Sequence, residues 1–214
     1  MAGYFKMKTY DGLIFDVDGT LWDSTPVVVN AFNEVVIEKG ILNHKLTTDD
    51  LKRTFGKPIR EIGLILFPHI PPEENWTIVQ EIAERENKLL TRTPPEPYPG
   101  IPEVFAKLSA RYPLFIISNC QAGYIDTFLS ATNTRQYITA YCCPDDTGML
   151  KADNIALFAQ KYHLQHPVYI GDTEMDEQAC EKAETDFIYA AYGFGTASHP
   201  TAVIHSPKDL LQIL

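Results

Sequence analysis

Short apolar runs alternate with amphipathic segments along most of this sequence of 214 residues. Runs rich in β-branched and aromatic residues predict five buried strands: GLIFDV (12–17), LFIISN (114–119), YITAYCC (137–143), VYIGD (168–172) and FIYAAYG (187–193). Segments with a helical pattern lie between the later runs, near 101–111, 122–130, 154–162 and 174–183. Because parallel strands are joined by helical crossovers, this order predicts an α/β fold with a doubly wound, mostly parallel sheet.

One long segment interrupts the alternation, since residues 26–93 contain no convincing strand pattern. The segment carries helical patterns instead: VVVNAFNEVVIEKG, TTDDLKRTF, PIREIGLIL and EENWTIVQEIAERENKLL. The proline-containing stretches DSTP and TRTPPEPYPGIP border it and are suited to hinges. We expect a helical cap subdomain over residues 24–95, inserted into an α/β core of residues 1–23 and 96–214.

Charge and composition exclude several classes of partner. The formal net charge of −10 disfavours binding to nucleic acid or to an anionic membrane, both of which need an excess of Lys and Arg. The four cysteines show no C-x-x-C spacing, and we find neither a signal-peptide pattern nor an apolar run that could span a bilayer. We expect a cytoplasmic protein, whose small anionic substrate could be accommodated if a metal ion offsets its charge.

Polar side chains follow four of the five predicted strands. In chain order these residues are Asp16, Asp18, Ser118, Asn119, Lys151, Asp172 and Asp176. The carboxyl ends of parallel strands meet at one edge of a sheet, where loops from separate crossovers converge. Because unpaired charges in a protein core each cost several kcal/mol, we interpret this collection as a functional site.

These groups are suited to phosphoryl transfer. A carboxylate can attack a dianionic phosphate only if their mutual repulsion is offset. A Mg²⁺ ion shared by substrate and aspartates, with a lysine nearby, would supply that positive charge. The sequence therefore predicts Mg²⁺ as the cofactor.

The motifs DVDGT, SN, Lys151 and GDTEMD, in this order and at strand ends, resemble the haloacid dehalogenase superfamily. The resemblance covers the whole chain and implies a Rossmannoid core. The helical segment after the first motif resembles the cap of one class of that superfamily, which includes phosphoglycolate phosphatase-like and β-phosphoglucomutase-like enzymes. One departure is that alanine, rather than the usual proline, follows Lys151.

The resemblance implies a role for each of the first catalytic residues. Asp16 is the expected nucleophile, which forms an aspartyl-phosphate, and Asp18 is the expected general acid and base. Lys151 is expected to neutralise the phosphoryl charge. Dehalogenases of the superfamily lack a carboxylate at the second position, so Asp18 favours phosphoryl transfer over dehalogenation.

Further residues are expected to bind the phosphoryl group, the metal and the leaving group. By resemblance, Thr20, Ser118 and Asn119 contact the phosphoryl group, and Mg²⁺ is held by Asp16, by the backbone carbonyl of Asp18 and by Asp172. Asp176 either orients Lys151 or metal-bound water, or simply caps its helix. The stretch FGKP (55–58) resembles a substrate-specificity loop, so Lys57 either contacts the leaving group or is a solvated surface residue.

The function expected from this pattern is a Mg²⁺-dependent phosphatase that acts on a small phosphorylated metabolite. One alternative is a phosphosugar mutase, although Asn30 occupies the place where the mutase pattern has a histidine. Another is a binding protein that has kept the fold but not the reaction. The physiological substrate and the oligomeric state are not indicated by the sequence.

Overall fold

A computed structural model describes residues 9–214 and centres on a six-stranded sheet. Its strands are Gly12–Phe15 (β1), Leu114–Ile117 (β2), Ala140–Cys142 (β3), Pro167–Gly171 (β4), Asp186–Ala190 (β5) and Ala202–Ile204 (β6). Their order is β3-β2-β1-β4-β5-β6, and every neighbouring pair is parallel. The predicted α/β fold with a doubly wound parallel sheet is confirmed.

All five predicted strands are present, and four of them, all except β4, are shorter than their apolar runs. Strands β1 and β2 end at Phe15 and Ile117, so Asp16 and Ser118 already lie in loops. The run 137–143 overestimates β3, because a 3₁₀ turn occupies Arg135–Tyr137. Strand β6 was not predicted, since a three-residue strand at a sheet edge leaves too short an apolar pattern.

Helices cover the sheet and fill the segment that lacks strands. In that segment they are Thr25–Lys39 (α1), Thr48–Lys52 (α2), Ile59–Leu66 (α3) and Pro72–Arg92 (α4). The remaining helices are Ile101–Leu108 (α5), Tyr124–Thr132 (α6), Pro144–Thr147 (α7), Lys151–Lys161 (α8), Glu174–Lys182 (α9) and Leu210–Ile213 (α10). Among the described residues, no helix is both long and apolar enough to cross a membrane.

Both faces of the sheet are buried, as the continuous apolar strand sequences require. Successive side chains of β1 point to opposite faces. Leu13 and Phe15 pack in one cluster with Phe105 of α5, whereas Ile14 packs in the other with Phe158 of α8. The sheet is therefore fixed between two helical layers, and its loops are held at defined positions.

The helical segment has a hydrophobic cluster of its own. Phe32 of α1, Leu51 of α2, Ile62 of α3 and Ile82 of α4 all belong to it. The backbone of Trp22 pairs with both Asp18 and Pro97, so the two connections to the segment lie side by side. The boundaries of the cap at residues 24 and 95 stay predictions.

Candidate active site

The predicted catalytic loops meet at the carboxyl ends of neighbouring strands. Asp16 directly follows β1, Ser118 follows β2 and Asp172 follows β4, and all three side chains are buried. The chain order of the sheet reverses between β1 and β4. Open α/β sheets bind ligands at such a switch point, so the fold places these residues where a site is expected.

Lys151, the first residue of α8, joins two of the predicted carboxylates. Its Nζ donates to Asp16 Oδ1 at 2.9 Å and to Asp176 Oδ1 at 2.5 Å. Burial alone would lower the pKa of the ammonium, but the charges of Asp16 and Asp176 raise it above its usual value. Lys151 is therefore a permanent cation within this site.

Asp176 contacts Lys151 and also caps its own helix, which are two of the roles that the sequence left open. Besides accepting from Lys151, it uses Oδ2 to accept from the backbone N and the hydroxyl of Thr173, at 2.9 and 2.7 Å. Thr173 in turn accepts from the backbone N of Asp176, which completes a capping box at the start of α9. One carboxylate thus fixes the helix start and holds the lysine.

The donor set around Asp16 fits a Mg²⁺ ion. One oxygen from each of Asp16, Asp172 and Asp176 lies within 4.8 Å of the others. Burial, followed by the charges of Asp176 and Asp16, raises the pKa of Asp172 well above its usual range. Mg²⁺ prefers oxygen ligands, and a dication would relieve this repulsion. The Asp18 carboxylate lies outside this cluster. Asp18 would therefore bind the metal through its backbone carbonyl alone, as predicted.

The loop after β1 packs tightly against Asp172. Gly19 has a φ of +77°, and a Cβ at this position would lie 2.1 Å from Asp172 Oδ2, so only glycine fits. Thr20 donates its hydroxyl to Asp172 Oδ1 at 3.2 Å, and its contact with the phosphoryl group stays a prediction. The backbone N of Phe194 donates to Asp172 Oδ2 at 2.7 Å, which fixes the carboxylate from the other side.

Asp18 is held by three donors that all reach the same oxygen. Trp22 Nε1 donates to Asp18 Oδ1 at 3.2 Å, and the hydroxyls of Ser24 and Tyr124 donate to it at 2.5 Å each. No hydrogen bond from the described residues reaches Oδ2. Burial raises the pKa of Asp18 to about 6, although these donors oppose the rise. A fixed carboxyl with a free oxygen and this pKa has the properties of a general acid and base.

Two further predicted site residues lie beside Asp16. The side chain of Ser118 partly opposes the rise in the pKa of Asp16 that burial causes. Asn119 Nδ2 donates to the backbone O of Gly56 at 2.8 Å, which joins the β2 loop to the FGKP loop. Asn119 Oδ1 is buried and has no partner, so it remains available to a ligand.

A cavity of about 550 Å³, counted with its open mouth, lies between the strand ends and the helical segment. Asp16, Asp18 and Ser118 line it from the sheet side. Lys57, half-buried, and Glu86, buried, line it from the helical side. The structure therefore brings five of the predicted site residues, Asp16, Asp18, Ser118, Asn119 and Lys57, to one cavity, and the FGKP loop forms part of its wall.

A match to a known family covers this whole arrangement. The family described as haloacid dehalogenase-like hydrolase matches residues 13–190, which include β1 to β5 and every site residue named above except Phe194. The chain belongs to the haloacid dehalogenase-like hydrolase family. The resemblance inferred from DVDGT and GDTEMD is confirmed.

Individual members of this hydrolase family resemble the chain over nearly its full length. Phosphoglycolate phosphatase from Shigella boydii serotype 4 is 24% identical over 243 aligned positions, covering 98% of this chain and 94% of the relative. A haloacid dehalogenase-like hydrolase from Streptococcus pneumoniae superposes with a TM-score of 0.82 at 21% identity, covering 94% and 97% of the two chains. CbbY from Rhodobacter sphaeroides, solved with phosphate, gives 0.80 at 18%, covering 94% and 96%. The solved structures show the same fold.

Several site residues of this hydrolase were not predicted from its sequence. Ser24 and Tyr124 hold Asp18, but neither stands at the end of a strand, and no local pattern distinguishes them. The sequence does contain a pattern that could have identified Glu86. The buried face of α4 includes Ile78, Ile82, Glu86 and Leu90 at intervals of four, so a carboxylate interrupts an apolar stripe.

Proposed function

We propose that this protein is a Mg²⁺-dependent phosphatase that hydrolyses a small phosphorylated metabolite through an aspartyl-phosphate on Asp16. The proposal rests on one observation: two neighbouring carboxyls in one cavity, Asp16 and Asp18, have different partners. Asp16 belongs to the carboxylate cluster and is paired with Lys151, whereas Asp18 lies outside that cluster and has an oxygen without a hydrogen bond. The first is suited to attack phosphorus and the second to proton transfer.

In the first step, a carboxylate oxygen of Asp16 forms a bond to phosphorus. The bond between phosphorus and the leaving oxygen breaks, and protonated Asp18 gives its proton to that oxygen. The leaving group departs as an alcohol, Asp16 becomes an aspartyl-phosphate, and Asp18 is left as a carboxylate.

In the second step, the Asp18 carboxylate removes a proton from a water molecule whose oxygen attacks phosphorus. The bond between phosphorus and Asp16 breaks, which releases inorganic phosphate and restores the Asp16 carboxylate. Asp18 is protonated again, so the cycle closes without another reactant. Because its pKa is about 6, Asp18 can donate a proton in the first step and accept one in the second near neutral pH.

The remaining predicted residues would bind and orient the reacting groups. Asp16, Asp172 and the Asp18 carbonyl would hold Mg²⁺, next to Asp176. When bound, the ion would offset the negative charges of phosphate and carboxylates. Ser118 and Asn119 would contact the phosphoryl oxygens. Thr20 would support Asp172 in addition to its expected phosphoryl contact.

The comparisons support a phosphatase that acts on small substrates. The curated relatives are named phosphoglycolate phosphatases, and one solved neighbour contains phosphate. The mutase alternative receives no support, because Asn30 is exposed on α1 and is not among the residues that line the cavity.

Phosphate release from p-nitrophenyl phosphate tests the proposal. We expect Mg²⁺-dependent turnover by the wild type and at least a thousandfold loss in Asp16→Asn, because an amide is a poor nucleophile. Asp153→Asn, at an exposed position on α8, is the matched control and should retain turnover. Near-normal activity of Asp16→Asn would exclude the covalent mechanism, and a wild type without Mg²⁺-dependent turnover would favour the non-catalytic alternative.

A further inference from the structure

Glu86 is a buried carboxyl that faces the cavity and that the catalytic steps do not use. Its side chain is 4% exposed, and it lies on the buried stripe of α4. Oε1 accepts from Gln121 Nε2 at 2.9 Å. Within residues 9–214, no hydrogen bond reaches Oε2. Glu86 lines the cavity, so Oε2 is a hydrogen-bonding atom that a bound ligand can reach.

The surroundings of Glu86 favour a neutral hydrogen-bonding group. Burial, together with the charge of Asp18, raises the pKa of Glu86 to about 8, while the hydrogen bond from Gln121 opposes the rise. The carboxyl is therefore largely protonated near pH 7 and can both donate and accept. A hydroxyl group has the same two capacities and is its natural complement.

The charges in the cavity disfavour a carboxylate on the leaving group. Asp16 and Asp18 line the cavity beside the largely protonated Glu86, and Lys57 is the one cationic side chain among its described lining residues. Lys151 lies next to Asp16, but its ammonium is already shared between Asp16 and Asp176. A second anionic group, beyond the phosphate, would therefore meet more negative than positive charge.

Apolar side chains form much of the rest of the wall. They come from the helical segment, and the set includes Val28, Phe32, Leu51, Phe55, Ile59 and Ile62. Such a wall accepts the carbon atoms of a short leaving group but provides no hydrogen bonds to it. Glu86 interrupts this apolar wall and, held by Gln121, presents a carboxyl that can hydrogen-bond a hydroxyl.

We infer that Glu86 binds a hydroxyl group of the leaving alcohol, so that the preferred substrate is the monophosphate of a small polyol rather than of a hydroxy acid. This inference rests on the proposed phosphatase function. It gives a substrate class that differs from the name carried by the curated relatives.

Four esters that differ in one group test the inference: ethylene glycol monophosphate, phosphoglycolate, phosphoethanolamine and ethyl phosphate. The first carries a hydroxyl and the third an ammonium on its second carbon, the second carbon of phosphoglycolate is a carboxylate, and that of ethyl phosphate is a methyl group. We expect the wild type to hydrolyse the hydroxyl ester with a kcat/KM about tenfold or more above that of each of the other three. p-Nitrophenyl phosphate is the reference for catalytic competence.

Variants at position 86 separate recognition from folding. Glu86→Leu cannot hydrogen-bond, so we expect the preference for the hydroxyl ester over ethyl phosphate to fall to about one. Glu86→Gln can still donate and accept, and should keep most of that preference. Glu84→Gln, at an exposed position on the same helix, is the matched control and should keep all of it.

Each outcome bears on the inference. Selection of phosphoglycolate or phosphoethanolamine by the wild type would overturn it, and so would a hydroxyl preference that survives in Glu86→Leu. In both cases turnover of p-nitrophenyl phosphate would leave the phosphatase proposal intact. No turnover of any ester by the wild type would refute the phosphatase proposal and the inference together.

Discussion

The hydroxyl of Tyr124 donates a hydrogen bond to Asp18 Oδ1 at 2.5 Å, although the two residues are 106 positions apart in the chain. Tyr124 begins α6, after the β2 loop, and Asp18 lies in the β1 loop. The bond therefore joins the loops that follow β1 and β2 across the sheet edge. It occupies Oδ1 of Asp18, whereas no hydrogen bond from the described residues reaches Oδ2, the oxygen to which we assign proton transfer.

Replacing Tyr124 by Phe should impair proton transfer without changing the shape of the core. The hydrogen bond from Tyr124 lowers the pKa of Asp18, so its loss should raise that pKa above about 6. We expect kcat to fall about tenfold and the limb of the kcat/KM profile that reports Asp18 to move to higher pH. Steady-state kinetics over a pH series would measure both effects.

Tyr141→Phe is a matched control for this variant. Tyr141 also donates its hydroxyl to an aspartate, Asp126 Oδ1, but this pair is not part of the cavity lining. Loss of the Tyr141 hydroxyl should leave the pH profile of kcat/KM unchanged. A Tyr124→Phe profile that coincides with that of the wild type would mean that Tyr124 does not position the general acid.

Mg²⁺ should be required for turnover, and Ca²⁺ should inhibit it. Ca²⁺ favours a larger and looser oxygen shell, which would misplace Asp16 relative to phosphorus. We expect chelation to abolish phosphate release, Mg²⁺ to restore it, and Ca²⁺ to suppress it in competition with Mg²⁺. Equal rates with the two ions would contradict the role given to the Asp16 and Asp172 carboxylates.

Glu86 should make the stability of the protein depend on pH. Its pKa rises from 4.5 to about 8 on folding, because burial disfavours the charged form. The folded state therefore holds the proton more tightly, and the stabilisation is complete below about pH 4.5 and is lost as pH rises towards 8. The free energy of unfolding of the wild type, relative to Glu86→Gln, should fall over this range.

The slope of that difference should not exceed about 1.4 kcal/mol per pH unit, the limit for one proton. Urea denaturation at several pH values would measure it. Glu84→Gln, at an exposed position on the same helix, is the matched control for the substitution. A flat difference for Glu86→Gln would show that Glu86 is already ionised in the folded protein.

The sheet could be predicted from the sequence because its strands are buried on both faces. Such strands are continuous apolar runs, and the polar residues that follow them mark the carboxyl edge. This reasoning located Asp16, Ser118 and Asp172 at strand ends, where the structure has them. It missed β6, whose three residues at the sheet edge form too short a pattern.

The partners of Asp18 could not be predicted, because hydrogen bonds between distant loops depend on how the loops fold together. Tyr124 reaches Asp18 only once α6 has packed against the β1 loop. The orientation of Thr20 towards Asp172 depends on the tight turn at Gly19 in the same way. Glu86, in contrast, interrupts an apolar stripe and could have been recognised from sequence.

The covalent intermediate on Asp16 is the central claim, and trapping it in Asp18→Asn tests it most directly. p-Nitrophenol leaves without needing a proton, so this variant should complete the first step, but it cannot activate water for the second. The measurement is a rapid mix of Asp18→Asn with Mg²⁺ and p-nitrophenyl phosphate, followed by acid quench, digestion and mass spectrometry. The account predicts a burst of p-nitrophenol stoichiometric with enzyme and a phosphoryl group on the peptide that contains Asp16. A phosphoryl group on another residue, or a burst without any phosphorylated peptide, would contradict it.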